Sequence, residues 1–79
     1  MDARAQTDDP LVMFYVPCGG ETEAKELASR LLDDRLIACA NLYASRSLYR
    51  WQGNIADELE HLLVCKTLSS RSEAVAARI

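Results

Sequence analysis

The pattern of apolar and polar residues predicts a strand near the beginning of the chain. Leu11–Val16 are all apolar, counting Tyr15, and Pro17 ends the run. The run is too short for a helix, and a strand with one exposed face would alternate apolar and polar side chains. It therefore predicts a strand that is buried on both faces.

A helix is predicted after a turn at Pro17–Gly20. Apolar residues recur there at helical spacing and fall on one stripe: Ala24, Leu27, Ala28, Leu31 and Leu32. Glu21, Glu23 and Glu26 lie near its start, where the helix dipole favours negative charge. We predict a helix from about Glu21 to Asp34. With a strand on each side it makes a βαβ unit, whose two strands run parallel and whose helix covers one face.

The next part of the chain predicts a strand in two segments, residues 38–44 and 47–52. Ala44–Arg46 indicate a bend or bulge between them. Alternation divides the second segment between two faces, with Ser47, Tyr49 and Trp51 on one and Leu48, Arg50 and Gln52 on the other.

A turn and a third strand follow. Gln52–Asn54 have turn composition, and Asp57 and Glu58 indicate a solvated loop after the turn. His61–Lys66 are nearly all apolar, which predicts a central strand. We therefore predict that this strand lies in the middle of the sheet, with a strand on each side.

A second helix is predicted to begin near Ser69 or Ser70, because Ser70 and Glu73 have capping-box spacing. The order β-α-β-β-α is the ferredoxin-like plan without its last strand. We therefore expect an α+β fold, a ferredoxin-like βαββα(β) sandwich whose last strand is missing from this chain. Residues 1–10 are predicted to be a flexible N-terminal tail, and residues 11–79 a single domain.

The composition indicates which additional source of stability so small a domain would use. The chain has 79 residues, of which 49% are hydrophobic and 27% charged, so its core is near the lower limit of size. Its three cysteines are an odd number and include no CxxC pair, which argues against a disulfide framework. Oligomerisation is the favoured source of additional stability, and a metal is the second.

Charge and hydropathy exclude several classes of partner. The net charge is −3 with both signs interspersed, so no basic stripe is available for nucleic acid. The longest apolar run is too short to span a bilayer. Residues 1–9 have no apolar segment of a secretory signal. These features, together with unpaired thiols, predict a cytoplasmic protein.

Three motifs in one order resemble the CutA family, the divalent-cation tolerance proteins. They are Arg35–Asn41 (RLIACAN), Ser47–Gly53 (SLYRWQG) and Leu62–Thr67 (LLVCKT). Pro17 and the segment AKELA at Ala24–Ala28 fit the same family. The resemblance covers roughly residues 11–68. It implies a ferredoxin-like subunit that assembles through its sheets into a trimer similar in shape to the PII signalling proteins. It also implies a link to copper and divalent-cation tolerance without an assigned catalytic activity.

The sequence departs from the family pattern at three points. The chain ends at Ile79, before the family's His-Pro-Tyr segment and final strand. Phe14 occupies the position at which some bacterial members carry a first-strand cysteine implicated in copper binding. Gln52 replaces a glutamate before the turn glycine, which removes a charge from that motif.

Cys39 and Cys18 are the candidate metal ligands, with copper or another divalent cation as the bound ion. A thiolate suits Cu(I), and Cys39 has the family position, although packing in the core is the favoured reading for this thiol. Its second ligand would come from Cys18, Cys65, Met13 or another subunit. Cys18 is expected to be exposed in a glycine-containing loop, as a solvated residue rather than a labile ligand.

Tyr49, Trp51 and Lys66 are the candidate residues of a ligand cleft between subunits. The two rings share a strand face, where packing between strands or subunits and lining a cleft are equally compatible with the sequence. Lys66 ends an apolar strand, and either pairs with a carboxylate or holds an anion in the cleft. His61 has no spaced partner in the sequence, so a surface role is favoured over metal ligation.

We therefore expect a non-enzymatic homotrimer that takes part in cation tolerance. The alternative is a PII-like sensor of a small anion or nucleotide in clefts between subunits. An enzyme such as an acylphosphatase ranks last, because Pro17–Gly20 supply no arginine to an anion-cradling loop. The three glutamates of the first helix also oppose an anion at its N-terminus.

Overall fold

The computed structural model describes residues 9–79, so most of the predicted tail lies outside the described residues. The elements are β1 (Leu11–Cys18), α1 (Glu21–Asp33), β2 (Cys39–Trp51), β3 (Asn54–Leu68), a 3₁₀ turn (Ser69–Arg71) and α2 (Ser72–Arg78). The sheet order is β1-β3-β2, and both outer strands are antiparallel to β3. The predicted α+β order, the parallel β1 and β2 and the central position of the third strand are confirmed.

Both helices lie on one face of the sheet, which we call the helix face. The core there includes side chains without solvent exposure, namely Ala24 and Leu31 of α1, Leu63 and Cys65 of β3, and Val75 of α2. The predicted helical stripe is confirmed for Ala24, Leu27, Ala28 and Leu31, whereas Leu32 is 43% exposed. The apolar stripe of α1 thus determines which face of the sheet is buried.

No other described residue covers the opposite face of the sheet, and we call it the open face. Its three-stranded part comprises Leu11, Met13 and Tyr15 of β1, Leu62, Val64 and Lys66 of β3, and Cys39, Asn41 and Tyr43 of β2. The prediction that β1 is buried on both faces is therefore wrong for one chain. Leu11, Met13 and Tyr15 are 64%, 50% and 65% exposed. An apolar run can mark an uncovered surface as well as a central strand.

Strands β2 and β3 form one long hairpin with an unbroken register. Cys39 opposes Lys66 and every following pair keeps step as far as Trp51 and Asn54. The predicted bulge at Ala44–Arg46 and the predicted loop at Asp57–Glu58 are therefore both wrong. Residues 45–60, which we call the distal arm, extend beyond the end of β1. Polar residues tolerate strand structure there because the arm is exposed to solvent.

The hairpin turn is confirmed at Gln52–Gly53. The φ angles of these two residues are 50° and 82°. Positive φ at both central positions is the signature of a type I′ turn, whose twist matches that of the flanking strands. Glycine adopts this conformation without strain, whereas Gln52 holds it against its Cβ.

Helix α1 ends in a Schellman motif with an arginine at the left-handed position. Arg35 has φ 59°, its N–H donates to the Leu32 carbonyl at 3.0 Å, and the Leu36 N–H donates to the Leu31 carbonyl at 2.9 Å. The Arg71 guanidinium also donates to the Arg35 carbonyl. These bonds end the helix at Asp33, one residue before the predicted end.

The predicted capping box at the second helix does not form. The Ser70 hydroxyl donates instead to Asp9 Oδ2 at 2.7 Å, and the Ser70 N–H donates to Asp9 Oδ1 at 2.7 Å. These bonds lower the pKa of Asp9, and the charge of Arg71 acts in the same direction. The Ser69 N–H donates to the Pro10 carbonyl at 2.8 Å. Asp9 and Pro10, assigned to the tail by the sequence, thus contact the start of the helical segment.

Candidate functional site

Cys39 lies on the open face at the beginning of β2. Its thiol is exposed, so the core position favoured by the sequence is wrong. Its direct cross-strand neighbour on that face is Lys66, which in turn lies beside Met13. A cation bound at Cys39 would therefore be next to an ammonium group, which repels it.

Cys18 is the last residue of β1, and it is buried with 3% exposure. The expectation of an exposed loop thiol is wrong, because β1 continues through Pro17 and places this side chain on the helix face. Its Sγ donates to the Val16 carbonyl at 3.5 Å. Burial raises the pKa of the Cys18 thiol, and the charges of Glu23 and Glu60 raise it further.

The two candidate metal ligands are on opposite faces of the sheet, so the structure does not bring them together. Cys65, the third thiol, is fully buried on the helix face, and burial raises its pKa. Within residues 9–79, no group of three or more His, Cys, Asp and Glu side chains is arranged to hold a metal ion.

His61 is the direct cross-strand neighbour of Cys18 in the β1–β3 register. Directly opposed residues of an antiparallel pair project from the same face, with Cβ atoms about 4.5–5.5 Å apart. His61 is half-buried and lines a depression of about 280 Å³ together with Gly19 and Gly20. Sequence reasoning missed this pair, because only the strand register brings residue 61 to residue 18.

Tyr49 and Trp51 share the open face of the distal arm with Ser47, as the alternation predicts. The Tyr49 hydroxyl donates to Glu58 Oε1 at 2.6 Å, and this bond raises the pKa of Tyr49. The Ser47 hydroxyl donates to Glu60 Oε1. Trp51 is 61% exposed, so the described residues leave most of its ring in solvent.

Lys66 is distant along the sheet from the two rings. It lines a shallow depression of about 330 Å³ in the middle of the open face, whose other lining residues are Met13, Tyr15, Asn41, Tyr43, Leu62 and Val64. Neither Tyr49 nor Trp51 lines that depression. The three predicted cleft residues thus share one face but do not form one pocket in the single chain.

The family is decided by a match over most of the chain. The family model described as "CutA1 divalent ion tolerance protein" matches residues 12–79. The chain belongs to the CutA1 family. The resemblance carried by the three sequence motifs is thereby confirmed.

Two relatives illustrate the similarity of CutA1 sequences to this chain. The "Protein CutA homolog" of Xenopus laevis is 39% identical over 62 residues, which are 77% of this chain and 41% of that protein. The "Divalent-cation tolerance protein CutA" of Thermus thermophilus is 38% identical over 60 residues, which are 75% of this chain and 56% of that protein. The chain thus spans about half the length of these relatives.

The fold is also that of CutA proteins. The structure of CutA from Synechococcus elongatus superposes with a TM-score of 0.83 at 34% identity, covering 90% of this chain and 62% of that one. The ferredoxin-like α+β expectation is consistent with this match. None of the helices in residues 9–79 has the length and apolar character needed to cross a membrane.

Proposed function

We propose that this CutA1 chain is a subunit of a non-enzymatic, cytoplasmic homotrimer that acts in divalent-cation tolerance and binds copper. The observation that carries the proposal is the apolar open face. Leu11, Met13, Tyr15 and Tyr43 are each at least half exposed on it. Contiguous apolar surface of this kind marks an interaction site in a soluble protein. A second and third copy of the chain, packed sheet against sheet, would cover it.

The distal arm supports the same assembly. Only two strands form it, and it is apolar on both faces, with Trp51 on one and Leu48, Ile55 and Leu59 on the other. These four side chains are between 61% and 75% exposed. A two-stranded ribbon has little independent stability in water, so contacts with neighbouring copies would stabilise it.

The chemistry of the thiols supports copper as the ion. Of the two candidate ligands, Cys39 is exposed and Cys18 is buried on the other face, so an ion from solvent would reach Cys39 first. Thiolates select soft ions such as Cu(I) over Mg²⁺ or Ca²⁺. The name of the Thermus relative links that protein to divalent cations. We extend that link to this chain, whose three cysteines are all unpaired.

The assembly is tested by the molar mass in solution, measured by light scattering after size exclusion. We expect three times the 8.8 kDa of one chain. Tyr15→Glu and Tyr43→Glu place a charge on the open face and should yield monomers. Ser29→Glu adds the same charge on the exposed side of α1 and should leave the trimer intact. A monomeric wild type, or trimers of both tyrosine variants, would contradict the proposal.

The proposed role in divalent-cation tolerance is tested in cells from which this protein has been deleted. We expect altered growth on copper-containing medium, restored by the wild type and by Ser29→Glu but not by Tyr15→Glu. Equal restoration by all three proteins would separate tolerance from assembly and refute the link between them.

A second candidate is a PII-like sensor that binds a small anion between subunits. The depression around Lys66 favours it, because it combines an ammonium group with apolar walls. Tyr49 and Trp51 of a neighbouring copy would complete the cleft. Binding would raise the melting temperature in the presence of ATP or inorganic phosphate, and Lys66→Met should abolish the shift. An unchanged melting temperature with both probes would dismiss this candidate.

A further inference from the structure

We propose that a depression at the end of the sheet, between α1 and the 3₁₀ turn, binds an organic carboxylate that carries a short apolar chain. The residues that would hold its charge are Arg35 and Arg71, to which the proposed function assigns no role. The depression is separate from the candidate thiols and from the one around Lys66. The proposal therefore depends neither on copper nor on an anion bound at the open face.

The size and lining of the depression carry the first step. Its volume is about 570 Å³, which is larger than the two depressions described above and falls in the ~300–1,000 Å³ range of small-molecule sites. Leu11 and Leu68, directly opposed in the β1–β3 register, line it where the sheet ends. Leu32 and Ile37 line it beside the end of α1, and Leu32 is 43% exposed there. Most of the lining is thus aliphatic and suits an apolar chain.

Two guanidinium groups supply the charge of the depression. Arg35 and Arg71 both line it, and the described lining residues include no carboxylate. The Arg71 guanidinium donates to the Arg35 carbonyl, which uses one of its five N–H donors and brings this head group to the backbone of Arg35. The hydroxyl of Thr67, a third polar lining residue, already donates to the Leu36 carbonyl at 2.5 Å. Like charges in one depression repel each other, and a bound anion removes that repulsion.

The neighbouring acidic side chains are engaged in other contacts. Asp34 pairs with Arg78 at 2.7 Å. Both oxygens of Asp9 accept hydrogen bonds from Ser70, although its charge also interacts with the second arginine of the depression. No ion pair in the described part of the chain includes Arg35. Its guanidinium can therefore bind the carboxylate of a ligand through two parallel hydrogen bonds.

The backbone of Arg35 points to the same position independently. Its φ angle of 59° lies in the left-handed region, where glycine is favoured. The arginine side chain is thus present at a cost in stability. Non-glycine residues held in this conformation are concentrated at functional positions, ligand-binding sites among them. We place the carboxylate at the two arginines and the chain along the leucines.

The test is a titration of the ¹⁵N-labelled protein, in its solution assembly, with sodium octanoate. We expect saturable shifts in the amide signals of residues 35–38 and 67–71. Arg35→Gly and Arg71→Met should each weaken binding at least tenfold. Because glycine suits the left-handed backbone, loss of binding in Arg35→Gly cannot come from unfolding. Arg50→Met removes the same charge from the distal arm and should change the affinity less than twofold.

Two further probes separate the charge of the ligand from its chain. 1-Octanol has the chain without the charge, and inorganic phosphate has a charge without the chain. Each should bind at least tenfold more weakly than octanoate. Octanol that binds as tightly as octanoate would overturn the role of the arginines, and phosphate that does so would overturn the role of the apolar lining.

The remaining outcomes concern where the acid binds. Absence of saturable octanoate binding by the wild type, or equal affinities of the wild type and Arg35→Gly, would overturn the site. Loss of binding in Lys66→Met with unchanged binding in Arg35→Gly would overturn it in favour of the open face, as in the second candidate function. A lower molar mass of Arg35→Gly, with no response of the wild type to octanoate, would show that another copy fills the depression. None of these results changes the tests of the trimer or of copper binding.

Discussion

The two faces of the sheet are built from the same strands but differ in almost every physical respect. On the helix face, Leu63 and Cys65 have no solvent exposure, and α1 and α2 cover them. On the open face, Tyr15 and Tyr43 are more than half exposed although their rings are larger than either of those side chains. In β1, Tyr15 is 65% exposed and the next residue, Val16, is 8% exposed, because successive side chains alternate between faces.

This difference shows that burial within a chain and burial in an assembly are distinct properties of a residue. The helix face is covered within one chain, whereas the described residues leave the open face uncovered, and only the proposed trimer would cover it. The thiols follow the same division, since Cys18 is buried near carboxylates and Cys39 is exposed beside an ammonium.

The largest loss of stability is expected from a substitution on the helix face. Leu63→Ala should lower the free energy of unfolding by about 3 kcal/mol, because it leaves a cavity in the core between β3 and α1. Leu62→Ala is the matched control on the open face. Its cost should be smaller and should rise with protein concentration as the assembly forms. Urea unfolding of the two variants at two protein concentrations measures both losses of stability. Equal losses that do not depend on protein concentration would contradict the difference between the two faces.

The next largest change in stability is expected in the turn of the distal arm, which is exposed on both faces. Gly53→Ala should destabilise the protein by about 1–2 kcal/mol, because φ is 82° at this position and a Cβ is strained there. No atom lies within 4 Å of the added Cβ, so the cost is conformational rather than steric. Gln52→Gly should stabilise the same turn. Thermal unfolding of the two variants checks the opposite signs, and a neutral Gly53→Ala would argue against the type I′ turn.

A smaller effect is expected where α1 is closed over the helix face. Arg35→Gly should stabilise the protein by about 0.5–1 kcal/mol, since glycine relieves the left-handed conformation at φ 59° while keeping the carbonyl bonded to Arg71. Arg30→Gly, within α1, should destabilise by about the same amount. Denaturant midpoints of the pair measure the contrast. Destabilisation in both variants would indicate that the Arg35 side chain supports the covered face.

The smallest effect is electrostatic and lies on the open face. The bond from the Tyr49 hydroxyl to Glu58 raises the pKa of Tyr49, so the folded state favours the neutral phenol. Its stabilisation is present below the unfolded pKa near 10 and is lost as pH rises through the higher folded pKa. Phenolate absorbance should show a late ionisation step that Tyr49→Phe removes. A late part of the titration curve that is unchanged in Tyr49→Phe would contradict the bond.

The sequence predicted the elements well and their environments less well. Helical spacing and turn composition located α1 and the Gln52–Gly53 turn within a residue, because both depend on local chemistry. The loop predicted at Asp57–Glu58 was wrong, since charged residues in an exposed two-stranded arm look like a loop in a linear pattern. The prediction of a bulge at Ala44–Arg46 was also wrong, because small and polar residues in an exposed strand resemble a bend in a linear pattern.

The candidate site was predictable only in part. The shared face of Tyr49 and Trp51 follows from alternation, which is local. The burial of Cys18 depends on β1 continuing through Pro17, which is usually a strand terminator but is tolerated in this edge strand. The pairing of Cys18 with His61 depends on a register between distant segments, and no spacing rule in the sequence encodes it.

The unbroken register of the long hairpin limits how its length can change. Deleting one residue from a single strand of the arm would exchange the two faces for every residue beyond the deletion. Hydrogen-bonded and non-hydrogen-bonded pairs alternate along the hairpin, and the two-residue turn closes on a hydrogen-bonded pair. Removing two neighbouring pairs, Trp51 with Asn54 and Arg50 with Ile55, would therefore shorten the arm by about 6.8 Å and keep the remaining residues on their present faces. Insertions and deletions in the arms of related chains should accordingly change its reach in steps of two residue pairs.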